Sequence, residues 1–139
     1  MIMNKLKFIC VFVCLGLVFL GCEKTDKARD DIFENLSWNL TNISGGFAGV
    51  DNDFDTGLIV WTFDSGSLTV VNNNTSQDYD VLASGDYSYS ILQAGGKIYL
   101  KIDGLEMGEI VASPNSIVVD QNKKSTGAGA DHFAFTLTM

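Results

Sequence analysis

From Leu36 to the C-terminus, apolar side chains recur at every second position in short runs separated by Gly, Asn, Asp and Ser. That period places them on one face of a strand. Eight runs are read: residues 36–43 (Leu36, Trp38, Leu40), 57–63 (Ile59, Trp61, Phe63), 67–72 (Leu68, Val70) and 86–92 (Tyr87, Tyr89, Ile91), followed by 97–102 (Ile98, Leu100, Ile102), 105–112, 116–120 (Ile117, Val119) and 132–139 (Phe133, Phe135, Leu137). In 105–112 the alternation breaks at Gly108, which predicts a bulge or a barrel corner. No stretch of this region carries sustained helical periodicity. Helical crossovers between parallel strands are therefore not expected, and an antiparallel meander is.

The links between the runs divide into two kinds. If the strands alternate up and down, the short links 64–66, 93–96 and 113–115 fall at one end, and the long links 44–56, 73–85 and 121–131 fall at the other, where only Asp103-Gly104 is tight. Tight turns at one end and long loops at the other describe an eight-stranded antiparallel up-and-down barrel with a closed floor and a looped mouth. Its first and last strands must then pair. A β-sandwich is the competing architecture, but it calls for long crossovers distributed over both ends.

Ahead of the meander, Lys5 and Lys7 precede an uninterrupted apolar run from Phe8 to Leu20. Its length fits the core of a cleaved signal peptide, and it is shorter than the roughly 20 residues a membrane-spanning helix needs. The run ends at Phe19-Leu20-Gly21-Cys22, which resembles the lipobox of bacterial lipoproteins, with Phe19 where that family usually has Leu. The resemblance implies removal of residues 1–21, acylation of Cys22 and attachment to the membrane through the lipid; a secretory signal cut elsewhere is the alternative. Cys10 and Cys14 fall in the removed segment, so no disulfide can staple the mature chain, and its stability must come from a packed core. Residues 22–35 read as a charged tether. Its Glu23-Lys24-Thr25-Asp26 start resembles the export signals of surface lipoproteins of the Bacteroidota. The expected address is the cell envelope, at the outer membrane, with the periplasmic face and the cell surface both open.

The formal net charge of −8 becomes −10 once Lys5 and Lys7 are removed, with seven basic residues facing 17 acidic ones. Such a chain is repelled by phosphate, so neither nucleic acid nor anionic lipid is an expected partner. Residues 36–139 resemble the lipocalin-like domains of small Bacteroidota lipoproteins, within the calycin group of ligand-binding barrels. Trp38 in the first strand, the eight-run meander and the long first loop carry that resemblance. It implies a barrel that holds a small, mostly apolar molecule. Two departures stand out: Leu36-Ser37-Trp38 replaces the Gly-x-Trp of lipocalins proper, and the only Arg, Arg29, lies in the tether and not over the Trp.

Three sets of residues are candidates for chemistry. Trp61, Tyr87, Tyr89, Tyr99, Phe133 and Phe135 are expected to line an apolar cavity, with tyrosine hydroxyls orienting a ligand. Asp51, Asp53 and Asp55 alternate in a Gly-flanked run in the manner of calcium ligands, although Thr56 stands where an EF-hand loop needs Gly and Thr62 where it needs Glu. His132, the only His, lies beside Asp131 and a small-residue stretch, and no nucleophile elbow or phosphate loop accompanies it. No catalytic residue and no cofactor are assigned. The leading expectation is a lipid-anchored binding module, and the alternative is a structural or protein-interaction lipoprotein with a filled barrel and an envelope protein as partner.

Overall fold

The computed structural model describes residues 33, 35–76, 79 and 81–139. The signal segment, Cys22 and the tether up to residue 32 lie outside them. The described chain is all-β, and among these residues no helix is long and apolar enough to cross a membrane. Eleven strands form in order: β1 (Leu36–Gly45), β2 (Val50–Asp53), β3 (Ile59–Asp64), β4 (Ser67–Asn72), β5 (Gly85–Ala94), β6 (Lys97–Ile102), β7 (Leu105–Ser113), β8 (Ser116–Asp120), β9 (Lys123–Lys124), β10 (Gly127–Ala128) and β11 (Phe133–Thr138). Eight of them, β1, β3 to β8 and β11, pair antiparallel with their sequence neighbours. The sheet closes where β11 meets β1, from Thr138 against Asn39 to Phe133 against Gly45. This is the up-and-down barrel expected, with no open edge between its first and last strands.

The floor is built from turns whose chemistry is local. Ser65-Gly66 and Gly95-Gly96 both hold positive φ at two successive residues, the type I′ geometry whose twist matches that of the flanking strands. Asp103-Gly104 makes the same turn at the opposite end. The Asp103 carboxylate accepts from both the backbone N–H and the hydroxyl of Ser88, which ties that turn back to β5. The mouth otherwise consists of residues 46–58, 73–84 and 121–132, into which β2 and the β9–β10 hairpin are set.

Two bulges set which side chains enter the barrel. In β1 the pairing with β11 skips Thr41, so Ile43 returns to the interior three residues after Leu40, and all of Trp38, Leu40 and Ile43 are buried. In β7 the pairing with β6 skips Met107, at the break in alternation beside Gly108. A methyl group on Gly108 would fall on the backbone carbonyl of Asp120, so only Gly permits that approach of β7 to β8.

Candidate functional site

The barrel interior is occupied by its own side chains. Trp38 and Trp61 are directly paired across β1 and β3, and Trp61 also lies 6.3 Å from the Phe135 ring. Leu40, Ile59, Leu68, Leu100, Ile117 and Leu137 are likewise buried. Both indole N–H groups are buried without an acceptor among the described residues, at a cost of about 1–3 kcal/mol each that the surrounding apolar packing must offset. At the floor, Phe33 is buried with its ring 4.9 Å from Phe63, and Phe63 meets Tyr89 edge-on at 5.0 Å. Phe33 thus plugs the closed end just before the chain enters β1.

The six aromatics expected to line one cavity are distributed over the molecule. Trp61 and Phe135 meet in the core, and Tyr89 lies at the floor. Tyr87 is half-buried near the mouth, with its hydroxyl donating to the Ala83 carbonyl at 2.9 Å. Phe133 sits at the mouth, packing edge-on against Tyr79 at 6.1 Å and closely against Gly46. Tyr99 requires a correction. It pairs with Leu92 and Glu109, whereas its neighbour Leu100 pairs with Ile91 and Gly108 on the inner face, so strand alternation directs Tyr99 outward. There it is buried beside Glu109, whose carboxylate takes an ion pair from Lys97 at 2.8 Å.

The aspartate run is also arranged differently from the calcium-type expectation. Asp51 and Asp53 lie on one face of β2, and both accept from the Asn42 side-chain amide, at 2.8 and 2.9 Å, while Asp55 follows in the link to β3. One side-chain amide thus bridges the two carboxylates. Among the described residues no three His, Cys, Asp or Glu side chains converge as a metal site. His132 is exposed, and its backbone is held by Asn122, which both donates to its carbonyl and accepts from its N–H.

Three clefts open at the mouth. One, of about 300 Å³, is bounded by the apolar Val81, Leu82, Tyr87, Ile102, Leu105 and Met107 and by the polar Asp103, Glu106 and Gln121. Leu105, at its rim, is 77% exposed although it begins a barrel strand. The other two are polar, of about 310 and 340 Å³, and share Asn74, Ser76 and Tyr79.

The wall beside the apolar cleft is rigidly tied. Lys124 Nζ donates to the carbonyls of Glu106 and Met107, the residues of the β7 bulge. The Glu106 carboxylate accepts from the N–H and hydroxyl of Ser125 at 2.6 and 2.5 Å. Burial pushes the Glu106 carboxyl up, but those hydrogen bonds together with Lys124 and Lys101 outweigh it and hold the group below its ordinary value. Burial pushes the Lys124 ammonium down, opposed by Glu106. Comparison of the chain with family models, curated proteins and solved structures gives no match.

Proposed function

We propose that the chain is an envelope lipoprotein, held at the outer membrane through an acylated Cys22, and that its barrel binds a small, mostly apolar molecule at the mouth. The observation that carries the binding reading is the cleft bounded by Tyr87, Ile102, Leu105 and Met107: it is concave, largely apolar with Asp103, Glu106 and Gln121 at its polar side, and at the lower end of the size range of small-molecule sites. An exposed leucine at its rim is surface that a ligand would remove from water. The filled interior is the scaffold that fixes this rim. Because the chain enters β1 at the plugged floor, the mouth is expected to face away from the bilayer.

The anchor is tested by Cys22→Ser, which should move the protein from membranes to soluble fractions; a variant as firmly bound as the parent removes the lipoprotein reading. Ligand binding is tested on residues 30–139, which include the compact unit Phe33–Met139, by titrating a neutral naphthylamine fluorophore. Binding with enhanced emission is expected, and Leu105→Glu should weaken it roughly tenfold by placing a charge on the apolar rim. Dye binding that appears only in partly unfolded protein counts against a native site.

A second reading, a structural or protein-interaction lipoprotein, is favoured by a different observation. Phe47 is 93% exposed at the tip of the β1–β2 link, beside a barrel whose interior is already filled. An isolated aromatic on a projecting hairpin is suited to anchoring a protein partner.

A further inference from the structure

The apolar cleft carries one uncommitted side-chain donor, and that donor narrows what can fill it. Among the described side chains lining the cleft, five are aliphatic or thioether, Asp103 and Glu106 present carboxylates, and only Tyr87 and Gln121 carry an N–H or O–H donor. The Tyr87 hydroxyl already donates to the Ala83 carbonyl at 2.9 Å. Gln121 is left.

Gln121 is held at two points by one residue. Its backbone N–H donates to the Phe133 carbonyl at 3.0 Å, and its side-chain Oε1 accepts from the Phe133 N–H at 3.3 Å. A backbone N–H needs an acceptor, so this contact fixes which end of the amide is oxygen. The Nε2 end has no acceptor among the described residues. Its backbone is crowded from two sides: a Cβ on Gly108 would lie 2.8 Å from the Gln121 nitrogen, and a Cβ on Gly129 would lie 3.2 Å from the Gln121 carbonyl oxygen. A donor oriented before a ligand arrives gives up little rotamer freedom on binding.

The carboxylates restrict the choice of partner. Ser125 occupies both oxygens of Glu106, and Asp103 Oδ1 accepts twice from Ser88, so both groups belong to the wall. An anionic head would be brought against these two carboxylates in a chain whose formal net charge is already −8. The Lys124 ammonium beside Glu106 is bonded to the Glu106 and Met107 carbonyls. A cationic head would have to leave water for a largely apolar lining in which those carboxylate oxygens are already engaged.

We infer that the cleft selects a neutral molecule with a compact apolar body and one acceptor oxygen, a ketone or ester carbonyl, and that Gln121 Nε2 donates to that oxygen. This rests on the binding reading of the same cleft and adds the class of its ligand. The apolar lining removes the body from water, whereas the amide orients the molecule and discriminates against a hydrocarbon of the same outline.

The test is NMR titration of residues 30–139, which keep the closed sheet and the Phe33 plug, with acetophenone, ethylbenzene, benzoate and benzylammonium. Acetophenone should bind roughly fivefold more tightly than ethylbenzene, which has a similar outline and no oxygen. It should also move the Gln121 side-chain amide protons downfield, and ethylbenzene should not. Gln121→Glu keeps an acceptor for the Phe133 N–H but loses the donor, so it should abolish the preference for acetophenone and leave ethylbenzene binding unchanged; the uncharged Gln121→Met should abolish the preference as well. Equal affinities for acetophenone and ethylbenzene in the parent would overturn the inference and leave the apolar site standing. Tighter binding of benzoate or benzylammonium would overturn it too, by making the cleft a site for charge. Failure of all four probes to bind would remove the apolar site itself, and the inference with it.

Discussion

The floor and the mouth of this barrel solve opposite problems with the same strands. At the floor, two-residue turns keep the strands together, and Phe33, Phe63 and Tyr89 stack beneath the core. At the mouth, the links are long and their polar groups are satisfied by one another: Asn72 binds Ser84 and Leu82, Asn122 binds His132, and Asn42 bridges two carboxylates. Apolar burial stabilises the first end, whereas side-chain-to-backbone hydrogen bonds shape the second. Among the described residues, the three clefts lie at the second end. The difference teaches that the concave surface here is built by loops mounted on a packed scaffold, and the proposed binding belongs to those loops.

The largest effects should follow from breaking the floor and core. Phe63→Ala removes a buried ring that touches Phe33, Trp61 and Tyr89, and is expected to cost about 3–5 kcal/mol by urea unfolding. Phe54→Ala at the mouth should cost about 1 kcal/mol or less. Equal losses at the two positions would erase the contrast. Next in size is Gly108→Ala, where the added methyl group meets the Asp120 carbonyl; separating β7 from β8 should cost about 1–3 kcal/mol and raise amide exchange in both strands.

Acid should sharpen the same comparison. Native hydrogen bonds from Ser125 favour the charged Glu106, so its folded value lies below the reference of 4.5. Its contribution is complete above that reference and is lost as pH falls through the lower folded value. Asp120, held down by Lys123 and Asn122 against the upward push of burial, behaves likewise from its reference of 3.8. Hydrogen-exchange protection of residues 121–130 is therefore expected to fall only once pH drops below those references of 4.5 and 3.8, while that of the floor turns persists. Simultaneous loss at both ends would indicate global unfolding and contradict the assignment. The smallest effect belongs to Phe47→Ser, which should leave the unfolding midpoint unchanged within about 0.5 kcal/mol, since the side chain is almost wholly in solvent.

Much of this architecture was legible in the sequence because one face of each barrel strand is buried, and burial imposes period-two alternation. The eight runs, the order of short and long links, the pairing of first and last strands and the irregularity at Gly108 all rest on that. What escaped lacks a buried face. β2 reads Val-Asp-Asn-Asp and is held by backbone pairing with β1, while β9 and β10 are two residues each. Tyr99 shares its aromatic character with the core residues but not their parity: its neighbours Ile98, Leu100 and Ile102 mark the inner face. The apolar cleft had one available signal, Leu105, an apolar residue directly after the Asp103-Gly104 turn. The pairing of Phe54 with Tyr79 joins two loops 25 positions apart, and alternation carries no information about such contacts.

The account stands on recognition at the mouth of a filled barrel, and methyl NMR of residues 30–139 during titration with the neutral naphthylamine fluorophore tests that most directly. Shifts confined to Val81, Ile102, Leu105 and Met107 are the predicted result. Shifts centred on Leu40, Ile59 and Ile117, with the rim unmoved, would place the ligand inside the barrel and contradict it.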